Sequence, residues 1–192
     1  MDFRFLITIV LGCACLAGCG ARDAAPFDGP LDAGADVVTL FGDVRLADRG
    51  AVDAETEPLF TNFGMQFEAA MGLSRESLLA LPQHEVQVDY PAGAAFHGFS
   101  GPLLRDVLAL AGSGEGDVIV TALDGYQRTI ERSRVETHDV ILAVSMDDNG
   151  LPLGGFGPAM LVWPRAQDPA LQGMPDDDWV WGVFAIEIVG AD

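Results

Sequence analysis

Beyond residue 36 the apolar residues come in short segments, some alternating and some continuous, mostly bounded by Gly, Pro or Asp, and this favours a fold made mainly of strands. Residues 85–90 alternate most cleanly: Val86 and Val88 face one way, Glu85, Gln87 and Asp89 the other. Strands are also expected over residues 37–44, 117–123, 126–130, 140–146, 159–163 and 179–189. Asp124-Gly125 predicts a hairpin turn between 117–123 and 126–130. Residues 59–63 read as a short strand or loop, and 45–57 as a polar connection. Two short helices are expected. One follows Ser74 as cap and stops at Pro82; the other starts near Pro102, runs through Leu103, Leu104, Val107 and Leu108, and closes at Gly112. A helical turn is expected at 133–136. Residues 96–101, 147–150 and 154–158 read as loops or turns. Strands do not alternate regularly with long helices, so the class is α+β with mixed β-sheets and short helices.

The N-terminus has a different pattern. Arg4 precedes an apolar run from Phe5 that continues through Ala14 and Leu16. The run is shorter than the about 20 residues that cross a bilayer and has the length and flanks of a signal-peptide core. Leu16-Ala17-Gly18-Cys19 then resembles the lipobox of bacterial lipoproteins. That resemblance implies cleavage before Cys19 and diacylglycerol on its thiol. Gly20 follows, with no Asp to signal inner-membrane retention. The expected organisation is a signal peptide over 1–18, a lipidated flexible tether rich in Ala, Asp, Gly and Pro over 19–36, and one domain over 37–192. The expected location is the bacterial cell envelope, facing the periplasm, with the outer membrane favoured.

The only cysteines are Cys13, Cys15 and Cys19, so residues 20–192 offer neither a disulfide nor a thiolate ligand. Net charge is −19, and all ten basic residues are Arg. A field of that sign repels phosphate backbones and excludes nucleic acid as an expected partner.

The segment Leu81-Pro82-Gln83-His84-Glu85-Val86-Gln87-Val88, followed by Phe99-Ser100-Gly101-Pro102-Leu103-Leu104-Arg105-Asp106-Val107-Leu108, resembles the molybdopterin-binding domain of the sulfite oxidase family. Ala122-Leu123-Asp124-Gly125-Tyr126 before Ile130 extends the likeness. So do Val140-Ile141-Leu142-Ala143, Gly150-Leu151-Pro152, and Gly157-Pro158 before Trp163-Pro164. It covers about residues 37–190 and is nearest to the small stand-alone members.

The resemblance implies a sulfite-oxidase-like molybdopterin-binding fold and an oxidoreductase ancestry. It also implies a metal held by a pterin dithiolene and one protein cysteine just after the strand at 85–90. Here Pro91-Ala92-Gly93 stand instead. Gly155 and Met160 stand near the family's His and Arg. Loss of a soft thiolate changes the metal's geometry and electronics. The expectation is therefore a binding module for a small anionic ligand or an envelope protein partner, without cofactor. The alternative is a molybdopterin-dependent enzyme with a thiolate-free metal shell, and whether the domain is catalytic stays open.

The cofactor-binding candidates are His97, Tyr126, Arg128, Gly155, Gly157 and Pro158; Arg105, Arg132 and Arg134 are further anion-binding candidates. No metal ligands are expected, since no histidine pair has zinc-site spacing. His138 reads as a surface residue, residues 176–178 as a solvated acidic loop, and Trp163, Trp179 and Trp181 as core aromatics.

Overall fold

The computed structural model describes Ala25, Pro26 and residues 35–190. The expected signal peptide, Cys19 and most of the expected tether lie outside the described residues. Two residues of the expected tether are paired with the domain: β1 (Ala25–Pro26) runs parallel to β3 (Leu46–Ala47), and the Ala25 amide donates to the Arg45 carbonyl at 2.7 Å.

Between them β2 (Asp36–Gly42) carries Val38 and Leu40 into the main core. Phe41 faces the opposite side. β4 (Arg49–Gly50) follows, then α1 (Pro58–Asn62). The segment expected as strand or loop at 59–63 is thus a short helix, begun by Pro58, whose fixed φ and missing N–H suit a first turn. β5 (Ala69–Ser74) was not expected; its Ala-Ala-Met-Gly sequence is a poor strand former, and pairing with β2 and β4 decides it. α2 (Arg75–Ala80) begins as expected, with Ser74 Oγ accepting from the Ser77 amide at 3.1 Å.

β6 (His84–Asp89) buries Val86 and Val88 as the alternation predicts. β7 (Phe96–Gly101) corrects the expected loop: all six residues pair with β6 in antiparallel register. Its glycines mark close approach, since a Cβ at Gly101 would overlap the Leu142 carbonyl. α3 (Leu104–Leu110), β8 (Val118–Ala122), β9 (Gln127–Ile130) and α4 (Arg132–Thr137) follow. The expected strand over 140–146 is split. β10 (Ile141–Ala143) pairs with β13 (Met160–Val162), while β11 (Ser145–Met146) pairs with β7 and with β12 (Asn149–Gly150). The turn between β11 and β12 puts Asp147 and Asp148 at φ 48° and 62°, the left-handed region that short polar side chains tolerate. β14 (Val183–Ile188) closes the domain.

The main sheet has the order β4-β5-β2-β14-β8-β9, and a second sheet the order β12-β11-β7-β6. Only β2–β14 is parallel within the main sheet. Its central strands are covered on both faces, which is why they read as nearly continuous apolar runs. One face meets the main core, with Leu104, Leu108 and Trp163 fully buried. The other meets Phe60, Phe67 and Phe184. Arg49 lies over the Phe60 and Phe67 rings at 5.4 and 5.3 Å and pairs with Glu57, which lets a cation sit beside that apolar cluster. Among the described residues no helix is long and apolar enough to cross a membrane.

Candidate functional site

The end of β6 and the β8–β9 turn converge on a cleft of about 260 Å³. Directly after β6, Tyr90 stacks on Trp179 with ring centroids 5.1 Å apart and planes at 14°. Phe156, from the Gly-rich loop at 154–158, meets the Tyr90 ring edge-on at 5.5 Å. Burial, reinforced by the charge of Asp176, pushes the Tyr90 phenol up, so it stays protonated. The hairpin turn supplies Asp124 and Tyr126: Asp124 Oδ1 accepts from the Tyr126 amide at 2.9 Å, and the Tyr126 hydroxyl donates to the Asp177 carbonyl at 2.8 Å. Trp181, 42% exposed, completes the lining. It is a surface aromatic and not the core residue expected from the sequence; Trp163 and Trp179 are core.

The acidic run at 176–178 is not a solvated loop. It forms a 3-10 turn in which the carboxylates of Asp176 and Asp178 bind different partners. Asp178 is only 8% exposed and holds two arginines, with Oδ1 2.7 Å from Arg128 Nη2 and Oδ2 2.7 Å from Arg134 Nη1. Burial pushes its carboxyl up, but hydrogen bonds from Arg134 and then Arg128, with their charges, outweigh this and hold it below the ordinary carboxylate value. Arg134 also lies 4.4 Å over the Trp163 ring, and Trp163 Nε1 donates to the Asp178 carbonyl. Asp176 pairs with Arg165, and its other oxygen accepts from the Ala92 amide at 2.9 Å. Asp177 is exposed on the cleft.

Arg165 is the most deeply enclosed cation here, its side chain 7% exposed. It binds Asp89 through both carboxylate and carbonyl, Asp176, and the Met174 carbonyl, and lies 4.7 Å over Trp179. It also borders a second, larger depression of about 610 Å³, shared with Phe96, Gln167 and Met174.

Of the residues singled out from sequence, Tyr126 lines the cleft, and Arg128 stands behind it, bound to Asp178. Gly155 and Gly157 turn their amides onto one acceptor, the Pro152 carbonyl, at 3.1 Å each. Pro158 follows a cis peptide and lines a different depression, with Phe60 and Leu153. His97 is not brought to the cleft: its Nδ1 lies 2.6 Å from Asp147 Oδ2, whose carboxyl is held low first by the Gly98 amide and then by His97.

Arg105 pairs with Asp139, and Arg132 with Glu136. His138 is no surface residue: its side chain is 13% exposed and sits 2.6 Å from Asp168. Tyr90, Asp178 and Arg165 were missed from sequence. The available signals were a lone Arg165 in the apolar Trp163-Pro164 context and an acidic run leading straight into Trp179. Among the described residues no group of three or more His, Cys, Asp or Glu is placed to hold a metal ion.

Comparison with known proteins agrees with this architecture. No curated protein matches the chain. Among solved structures, the sulfane dehydrogenase SoxCD from Paracoccus pantotrophus superposes with a TM-score of 0.51 at 19% identity, over 79% of this chain and 37% of that one. The chain thus spans little more than a third of that protein's length, and the likeness is one of fold. The model of the oxidoreductase molybdopterin binding domain matches residues 62–167, more than half of the sequence. Matched over that span, and folded as mixed sheets with few short helices, the chain belongs to the oxidoreductase molybdopterin-binding domain family.

Proposed function

We propose that this domain is a binding module of the bacterial envelope that keeps the family's fold without its redox chemistry. The observation that carries the reading is the packing after β6. Where the resemblance places the metal's thiolate the chain has Pro91-Ala92-Gly93, with the Ala92 amide bound to Asp176; just before them Tyr90 stacks on Trp179, and Arg165 is locked between Asp89 and Asp176. The donors singled out from the sequence, and Arg165, do not favour a molybdenum pterin either. No cysteine occurs after Cys19. Arg105, Arg128, Arg132, Arg134 and Arg165 each already bind a carboxylate, and the Gly155 and Gly157 amides are taken by Pro152. A phosphate would have to displace these partners one by one.

Metal and pterin analysis of the full chain, produced in cells that make active molybdoenzymes, tests the reading. Neither molybdenum, tungsten nor pterin should copurify. Near-stoichiometric metal with pterin would overturn the proposal and favour an enzyme with a thiolate-free shell.

The lipobox supports the second half of the reading, attachment through lipid on Cys19 to a membrane, with the outer membrane favoured and the domain facing the periplasm. Two or more acyl chains, at roughly 0.8 kcal/mol per buried methylene, suffice for stable anchoring. Cys19→Ser should move the protein from the membrane fraction to the soluble fraction after cell lysis; a variant that still sediments with membranes would refute lipid attachment at this residue.

A further inference from the structure

We propose that the cleft beside Tyr90 binds a small organic cation of the methylated-ammonium class. This rests on the binding-module reading and names the ligand's chemistry. The first ground is charge. Asp124, Asp176 and Asp177 line the cleft, and among the described residues no basic side chain does. Arg165 compensates Asp176, and the guanidinium groups of Arg128 and Arg134 are held on Asp178. The charge of Asp177 acts on Arg128, whose guanidinium is bound to Asp178, and Asp124 accepts from the Tyr126 amide. With a net charge of −19 behind it, the cleft favours a cation and repels an anion.

The second ground is the aromatic lining. Trp179 is occupied by Tyr90 and Arg165, so it forms the floor. Tyr126 and Trp181 are 45% and 42% exposed, with no ring partner among the described residues. Their faces are negative and bare, the condition under which a quaternary ammonium is attracted to a ring. Tyr126 is held in place by its bond to the Asp177 carbonyl, which couples one aromatic wall to the acidic rim.

The third ground is an unsatisfied donor: Trp179 is 2% exposed, and its Nε1–H has no acceptor among the described residues. The residue lines the cleft, but this donor atom is itself buried, so a ligand oxygen would reach it only if the Trp179 ring shifts. A volume of about 260 Å³ lies at the small end for ligand sites and selects a ligand of few heavy atoms.

Calorimetric titration of the full chain in non-ionic detergent tests this, with choline, its uncharged isostere 3,3-dimethylbutan-1-ol, and inorganic phosphate as probes. Choline should saturate one site per chain, and the isostere should bind about tenfold more weakly or not at all. Trp181→Ala and Asp177→Asn, both at the surface, should each weaken choline about three- to tenfold. Equal binding of the isostere, binding of phosphate instead, no saturation at millimolar choline, or wild-type affinity in both variants would overturn the inference.

A free solute and a lipid headgroup both carry this group, and the soluble Cys19→Ser chain separates them. Sedimentation with phosphatidylcholine vesicles, competed by choline, assigns the site to a headgroup; choline binding without sedimentation assigns it to a solute. Metal and pterin analysis of the same preparation keeps the two readings apart. Cofactor in the protein refutes the binding-module reading, whereas a cofactor-free protein that ignores choline refutes the cation alone.

Discussion

Arg165→Ala should destabilise the domain by about 3 kcal/mol, read as a lower urea midpoint at unchanged m-value. The side chain is 7% exposed and spends its donors on Asp89, Asp176 and the Met174 and Asp89 carbonyls. Removing it leaves two carboxylates facing each other's field with no cation and two carbonyls without their donor. Breaking a buried pair from one side costs about 3–5 kcal/mol. The lower end applies because Asp89 and Asp176 keep 23% and 32% of their side-chain surface in water. The guanidinium also covers Trp179, so packing is lost along with charge. Arg165→Lys should recover less than half, since a compact ammonium cannot reach the same set of acceptors from one position. A loss under about 1 kcal/mol for the alanine variant would mean that the knot is solvated and that its geometry is incidental.

This knot was not legible in the sequence, and the reason is separation along the chain. Arg165 meets Asp89 across 76 residues, and Asp178 meets Arg128 across 50. The local signals, an Arg165 in an apolar context and an acidic run leading into Trp179, do not name the distant partners, and an acidic triplet read alone is a solvated loop. Periodicity worked where one face is buried and the other wet, as at Val86 and Val88 in β6. Turn chemistry worked at Asp124-Gly125 and at Ser74.

Both failed where tertiary pairing overrides local preference. β7 carries Gly98 and Gly101, which signal a loop by composition. Here they are small because Gln87 and the Leu142 carbonyl crowd them from the neighbouring strands. β5 has no β-branched residue and is a strand only because β2 and β4 flank it. Of the candidate site, Tyr126 was recognisable from its place after the hairpin turn. His97 belonged to a loop that does not exist; in β7 its ring points to the β11–β12 turn and meets Asp147.

Asp178→Ala should cost about 2 kcal/mol at neutral pH, against no more than about 0.5 kcal/mol for Asp177→Ala one residue earlier. The two residues share composition and neighbourhood and differ in burial, so the pair isolates what the ion pairs contribute. Asp178 is 8% exposed, but Arg128 and Arg134 keep 39% and 32% of their side-chain surface in water, and the full figure for a buried pair must be discounted for that screening. The bond from Trp163 Nε1 goes to the Asp178 backbone carbonyl and survives either change.

The pH dependence fixes the sign. The Asp178 carboxyl is held below its ordinary value in the folded state, so its contribution is fully present above the unfolded value of about 3.9 and is lost as pH falls through the lower folded value. The gap between wild type and Asp178→Ala should therefore be constant from neutral pH to about 5 and close in stronger acid. General repulsion in a chain of net charge −19 makes the opposite prediction, since removing any carboxylate relieves it. A stabilised Asp178→Ala variant would show that the overall field outweighs the local pair. A destabilised one, with Asp177→Ala unchanged, would show that the charge at this cleft is organised by specific contacts and that folding does not depend on Asp177.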